Sequence, residues 1–233
     1  MSASGGMGAR ARWATFDCYG TLVDWNRGIG DQLERLFGAE SRQAALARYH
    51  EVEPEVQAES PAAPYRDVLA ATLRRSAQAL GRDLPEAERD ALARSLPGWP
   101  VFGEGPDALR ELRARGWHLA ILSNTDRDLI EASLVRIGVE FEFAIVASEI
   151  GSYKPAPGHW REFLVRSGAD PARHVHVAAS LFHDVEPCAE LEIPCVWINR
   201  LGEEATTPVL AELPNLRGLP DVLDQAFGDS AGL

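Results

Sequence analysis

Lysine is almost missing from this chain of 233 residues: among 23 basic residues Lys154 stands alone, and every other one is arginine. Positive charge is itself in deficit, 23 basic against 35 acidic residues, for a formal net charge of −12. With no run of Lys or Arg to grip it, a phosphate backbone is repelled, which argues against nucleic acid and anionic membrane surfaces as partners. No apolar stretch reaches the ~20 residues that a membrane helix needs. Cysteine is limited to Cys18, Cys188 and Cys195, an odd number without a CxxC pair, so a disulfide scaffold is excluded and reduced thiols in the cytoplasm are expected. Residues 1–12 carry two arginines and no apolar segment, and read as a short mobile tail instead of a signal peptide. His50, His118, His159, His174 and His176 show no metal-ligand spacing, and His174-x-His176 reads as core and edge of a strand. No metal or other cofactor is expected.

What is present is enough apolar material, 45% of residues, for a chain of this length to bury roughly 70–75% of its unfolded surface. Short apolar runs at 13–17, 118–123, 143–147, 174–178 and 195–198 read as strands. Between them, 106–115, 127–137, 158–167 and 185–191 have helical character, giving an α/β fold with a doubly wound, Rossmann-like parallel sheet. Residues 25–98 break the alternation with helical segments at 28–37, 41–52, 65–80 and 85–95 and no convincing strand. This reads as an all-helical cap inserted after the first strand, over the carboxyl ends where open α/β sheets bind ligands. Residues 53–64, with three prolines, read as a cap loop and 97–100 as the return linker. The domain division is thus 1–12 tail, 13–24 with 99–233 core, and 25–98 cap.

Four polar features follow four successive strands. Asp17 closes the first, in Phe16-Asp17-Cys18-Tyr19-Gly20-Thr21, where a carboxylate among free backbone N–H groups can act as a nucleophile. The same Asp also suits an Asx turn. Ser123-Asn124 ends the second strand and equally suits a helix N-cap. Lys154 follows the third, and its compact ammonium fits a small buried carboxylate site where a planar guanidinium does not. Asp184 begins the helix after the fourth, where an acid also stabilises the helix dipole.

Taken as a set and in this order, with a helical insertion after the first, these motifs resemble the haloacid dehalogenase superfamily from Trp13 to about Phe227. Phosphatases of that superfamily carry a second Asp two residues after the nucleophile and two acidic residues in the fourth motif. Those groups protonate an alkoxide leaving group and hold a Mg²⁺. Here the first position is Tyr19, and Val177-Ala178-Ala179-Ser180-Leu181-Phe182-His183-Asp184 keeps only Asp184. Halide leaves unprotonated, so dehalogenation needs neither device. Asp-x-Tyr-Gly-Thr together with Trp197-Ile198-Asn199-Arg200 looks like the 2-haloacid dehalogenase branch in particular.

The resemblance implies a metal-independent hydrolase that converts short 2-haloalkanoic acids to 2-hydroxy acids with inversion, through an ester on Asp17. It assigns Lys154 as the charge partner of Asp17, Thr21 as its support, and Asp184 as the residue that orients Lys154 or the hydrolytic water. Ser123, with the backbone N–H groups near Cys18 and Tyr19, is expected to take the substrate carboxylate, and Asn124 to lie near the halide. Arg48 is expected to reach down from the cap, and Trp25 and Trp160 to line an apolar pocket, although an arginine on a solvated helix face and aromatics packed between cap and core explain the same residues. Ala179 and Leu181 stand where many relatives have a Ser and an Asn, and Trp160 where they have a Tyr. His183 is therefore a candidate base for the second half-reaction, unless it faces away from the site. A homodimer is compatible with this reading. Two alternatives remain open, a Mg²⁺-dependent small-molecule phosphatase and a non-catalytic binding relative.

Overall fold

Side chains along an extended strand alternate between the two faces of a sheet, and here each face has its own apolar layer. The computed structural model describes residues 11–228. Its strands are β1 (Arg12–Phe16), β2 (Trp117–Ser123), β3 (Phe143–Val146), β4 (His174–Ala178), β5 (Cys195–Ile198) and β6 (Ala211–Leu213). They form one sheet in the order β3-β2-β1-β4-β5-β6, with every neighbouring pair parallel. Ala14, Phe16, Leu119, Ile121, Val175, Val177, Val196 and Ile198 belong to one layer. The intervening Trp13, Ala120, Leu122, Cys195 and Trp197 belong to the other. Both faces are therefore covered, as a parallel sheet joined by helical crossovers requires.

The helices are α1 (Trp25–Phe37), α2 (Arg42–Glu59), α3 (Tyr65–Ala79), α4 (Ala91–Ser95), α5 (Gly105–Ala114), α6 (Arg127–Ile137), α7 (Ala147–Ile150), α8 (Gly158–Ser167), α9 (Glu186–Glu190) and α10 (Leu219–Phe227). Helices α1 to α4 all lie between β1 and β2, as the break in the alternation predicts. They share a core with the sheet: Ile29, Leu33, Tyr49, Leu69 and Leu73 join the layer that contains Phe16 and Val177. The chain runs from β1 outward through β2 and β3, then returns to place β4 on the other side of β1. That reversal opens a crevice at the carboxyl ends of β1 and β4, the place where such sheets bind ligands.

Several boundaries differ from the sequence reading. Arg12 is not tail but the first residue of β1, paired with Trp117 and hydrogen-bonded to Asp224 Oδ1 at 2.8 Å; residues 1–10 lie outside the described residues. The expected loop at 53–64 is helix as far as Glu59, because α2 continues through Pro54 with Val52, Glu53, Val56 and Gln57 all buried. Packing of that face outweighs the hydrogen bond lost at proline. The helix expected at 85–95 is a 3₁₀ turn (Glu86–Glu88) followed by the short α4. The expected linker at 97–100 is instead packed: Trp99 is buried, and a Cβ placed on Gly28 would meet its ring at 2.3 Å. The helix expected at 185–191 begins earlier as a wide π-type turn (Leu181–Val185) that leads into α9. Strand β6 was not foreseen, since three partly exposed edge residues carry no apolar run.

Candidate active site

Asp17 is the first residue beyond β1, tied to β4 by its own N–H, which donates to the Val177 carbonyl at 3.1 Å. Gly20 turns the chain immediately after it, with φ +93°, a conformation that residues with a Cβ adopt at a cost. The Leu22 N–H donates to the Cys18 carbonyl (2.8 Å) and the Gly20 N–H to Val23 (2.8 Å), closing the turn. Asp17 Oδ2 accepts the Thr21 hydroxyl at 2.9 Å, and Thr21 Oγ1 in turn accepts the Ala179 N–H at 2.9 Å.

The other carboxylate oxygen meets Lys154. Nζ donates to Asp17 Oδ1 (2.9 Å), Asp184 Oδ1 (2.6 Å) and the Leu122 carbonyl (2.9 Å), so all three N–H groups of a fully buried ammonium are matched. A planar guanidinium cannot donate in three such directions from one nitrogen, which explains the chain's single lysine. Burial by itself would lower the lysine pKa, but the two carboxylates hold it above the ordinary value. Burial would raise Asp184, yet Lys154 and His176 keep it below the usual carboxylate range. Asp17 stays above that range, because burial outweighs its lysine and Asp184 adds repulsion.

His176, read from sequence as a core residue, is buried and bonded to the site. Its Nε2 lies 2.9 Å from Asp184 Oδ1, and since a carboxylate only accepts, that nitrogen carries the proton. Nδ1 then accepts from Thr15 Oγ1 at 2.8 Å, and Thr15 accepts from His174 Nε2 at 2.8 Å. The one sequence signal for this chain is the period of two that places Thr15, His174 and His176 on adjacent parallel strands. Asp184 Oδ2 is left buried without a partner.

A cavity of about 670 Å³ opens over these groups, and Asp17, Tyr19, Ser123, Asn124, Lys154, His183 and Asp184 all line it. Ser123 Oγ is buried without a partner and is available to a ligand. Tyr19 reaches Ser133 Oγ at 3.1 Å and packs edge-on against Trp99. Trp25 lines the cavity as expected, stacked on His50. His183 Nδ1 lies 3.1 Å from Ser180 Oγ, its Nε2 has no partner, and burial lowers its pKa to about 4, so it is neutral at pH 7.

Two expectations are corrected, those for Arg48 and Trp160. Arg48 does not line the cavity; it pairs with Glu51 at 2.8 Å. At 100° per residue, position 48 lies about 200° around α2 from the cavity-lining His50, so it points away. Trp160 packs beneath the site, edge-on to His176, in the layer with Phe163 and Val185. The Cys18 side chain faces the core, because alternation along the chain sends it opposite to Asp17, and the role expected near Cys18 is one of backbone N–H groups, which this does not alter. Asn124 does line the cavity, but both ends of its amide serve the Lys154 backbone: Nδ2 donates to the carbonyl at 2.9 Å and Oδ1 accepts the N–H at 2.7 Å. It positions Lys154 with one of the two Nδ2 N–H groups and leaves the other unused by that contact.

Sequence reasoning also missed Glu53 and Arg200. Glu53 lines the cavity from α2, buried, with burial raising its pKa to about 7. Arg200 is the cavity's one arginine among the described residues, held by Glu104 at 2.7 Å and the Thr21 carbonyl at 2.8 Å. The Mg²⁺ of the superfamily's phosphatases does not fit this donor set. Tyr19 and Ala179 stand where carboxylates would be needed, which leaves Asp17 and Asp184, both engaged by Lys154, and no group of three or more His, Cys, Asp or Glu side chains among the described residues could hold a metal ion.

Known proteins resemble the chain in sequence and in fold. It is 30% identical over 222 residues to an (S)-2-haloacid dehalogenase of Pseudomonas sp. strain YL, covering 91% of this chain and 94% of that protein. It is 31% identical to phosphoserine phosphatase of Thermus thermophilus, but over only 50% of the chain and 49% of that protein. The L-2-haloacid dehalogenase of Xanthobacter autotrophicus shares the fold with a TM-score of 0.82 at 20% identity, over 92% of this chain and 99% of that one. The same enzyme with chloropropionic acid covalently bound gives a TM-score of 0.79 at 20% identity, over 91% and 98%. The sequence model of the haloacid dehalogenase-like hydrolases matches residues 11–190, most of the described structure, and together with the first of these relatives it shows that the chain belongs to that family of hydrolases.

Proposed function

We propose that the protein is a hydrolytic dehalogenase that converts 2-haloalkanoic acids to 2-hydroxy acids through an ester on Asp17. The observation that carries this reading is the surrounding of Asp17: one oxygen on Lys154, the other on Thr21, and at the second position after it Tyr19 instead of an acid. Such a site can aim a carboxylate at an uncharged carbon, while the acid that would protonate an alkoxide leaving group from the second position after Asp17 is replaced by Tyr19. The covalent chloropropionate adduct of the Xanthobacter autotrophicus relative supports an intermediate of this kind.

Asp17 attacks C2 of the substrate opposite the halogen; the carbon–halogen bond breaks and halide leaves with its electron pair, inverting C2. Water then adds to the ester carbonyl of Asp17, so the second step leaves C2 untouched, and the net reaction releases 2-hydroxy acid, halide and one proton. Ser123 Oγ, free at the cavity wall, and the backbone N–H groups about Cys18 and Tyr19 receive the substrate carboxylate. Two unpartnered atoms in the cavity wall, Asp184 Oδ2 and His183 Nε2, hold the attacking water, and neutral His183 takes up its proton.

The test is halide release from both enantiomers of 2-chloropropionate and 2-bromopropionate, with p-nitrophenyl phosphate alongside, each with Mg²⁺ and with EDTA. Halide release that persists in EDTA and vanishes in a folded Asp17→Asn variant is expected. Phosphate release that depends on Mg²⁺, without halide, would replace this reading by the phosphatase. A protein inert to all of these and binding no haloacid would make the chain a non-catalytic relative.

A further inference from the structure

The cavity over Asp17 is larger and more acidic than a short haloacid uses. Its 670 Å³ falls in the range of pockets that enclose drug-sized ligands. Five acidic residues line it against two basic ones, and both cations are already matched, Lys154 by Asp17 and Asp184 and Arg200 by Glu104. Substrate negative charge at one end is served by Ser123 and the adjoining backbone; the helical insert brings the opposite chemistry.

On α2, His50, Glu53, Pro54 and Gln57 line the cavity at spacings of three and four, a single stripe of the helix. Glu53 is 5% exposed, with hydrogen bonds from the Tyr65 hydroxyl at 3.2 Å and from the Gln57 side chain; no ion pair reaches it among the described residues. Tyr65 in turn accepts from Trp25 Nε1 at 3.4 Å, so its own proton is committed to Glu53. Pro54 has no N–H, which leaves the His50 carbonyl, one turn back on the same stripe, without its helical donor. His50 and Glu53 thus bring a carbonyl without its helical donor and a buried carboxylate to a stretch of cavity wall that also includes Trp25 and Tyr65.

We propose that Glu53, the His50 carbonyl and the Trp25 and Tyr65 rings form a subsite for an organic ammonium group. A carboxylate and a carbonyl give such a group its hydrogen bonds, and aromatic faces attract its charge. The molecule processed at Asp17 is then a 2-haloacid whose chain ends in an amine, in place of a plain alkanoate. That last step rests on the dehalogenase reading; the ammonium subsite does not.

Binding and turnover are measured separately at pH 8. Calorimetry compares pentylammonium with 1-pentanol on the wild type, Glu53→Gln and Pro54→Ala; halide release compares 2-bromo-6-aminohexanoate with 2-bromohexanoate. The wild type is expected to bind the ammonium at least tenfold more tightly than the alcohol, and Glu53→Gln to abolish the difference. Pro54→Ala, which returns an N–H to the His50 carbonyl, is expected to narrow it severalfold and gives a second reading if Glu53→Gln does not fold. The amino acid's kcat/KM is expected to exceed that of the plain acid by at least tenfold. Equal affinity for ammonium and alcohol, or a preference untouched in both variants, overturns the subsite. Halide release with no amine preference overturns the amine-bearing substrate while keeping the dehalogenase reading. Ammonium binding through Glu53 with no halide from either acid keeps the subsite and overturns that reading.

Discussion

Lys154 holds two carboxylates that would otherwise repel each other in a buried crevice. Removing one partner of such a group leaves uncompensated buried charge, so Lys154→Met is expected to lose about 3–5 kcal/mol of stability, read by urea denaturation. Lys154→Arg keeps the charge but cannot place three N–H bonds from one nitrogen. It is expected to lose about a hundredfold or more in halide release, since misplacing an electrostatic group in an active site costs that much. His176→Leu strands Thr15 and Asp184 together and is expected to cost about 1–3 kcal/mol in the same experiment. At this scale Asp17, Ser123, Lys154 and Asp184 were legible because each closes or follows an apolar run, whereas Thr21 was expected only from the family resemblance. Arg48 was misplaced because counting residues from Asp17 says nothing about which side of α2 faces inward, and Glu53 was passed over because a buried acid looks like a surface acid in sequence.

Helices α1 and α2 show where local signals fail at the scale of an element. Strands were read to within about a residue at most ends, since each is a short apolar run between polar turns, whereas α2 crosses the proline-rich stretch read as loop. The contact of Gly28 with Trp99 joins α1 to the returning chain, and Gly28→Ala would force a methyl group into the indole at 2.3 Å. Overpacking of this kind costs about 1–3 kcal/mol, a loss of several degrees in Tm by calorimetry. Glu53 sets the pH response of α2. Its folded pKa, about 7, lies above the unfolded value near 4.5, so the folded state binds the extra proton between them. Stability from this group is complete below about pH 4.5 and is lost as pH rises through 7, a difference of about 3 kcal/mol by linkage. Glu53→Gln is expected to remove that slope, so that the variant gains on the wild type as the pH is raised from 5 to 8.

For the whole molecule the acid side is governed by histidines buried in neutral form. Burial lowers His159 and His174 to about 3 and His183 to about 4, against an ordinary 6.5. The unfolded chain binds these protons first, so their contribution to stability is complete above about pH 6.5 and falls as pH drops toward 3, by about 1.4 kcal/mol per pH unit for each histidine. Denaturation followed at pH 7, 6 and 5 is expected to show a steepening loss, with protons taken up on unfolding. His174→Phe, in a position already packed against the Phe163 ring, is expected to reduce that loss.

The chain by itself determined the fold class, the helical insertion after the first strand and the set Asp17, Ser123, Lys154 and Asp184. These follow from the period of the apolar runs and from polar residues at their ends, which are local properties. Only the tertiary structure decided how three N–H bonds are shared at Lys154, which face of α2 meets the cavity, and that His176 and Thr15 stand behind Asp184. Those contacts join residues far apart in the chain, and their directions depend on how strands and helices are rotated against one another, which no local pattern records.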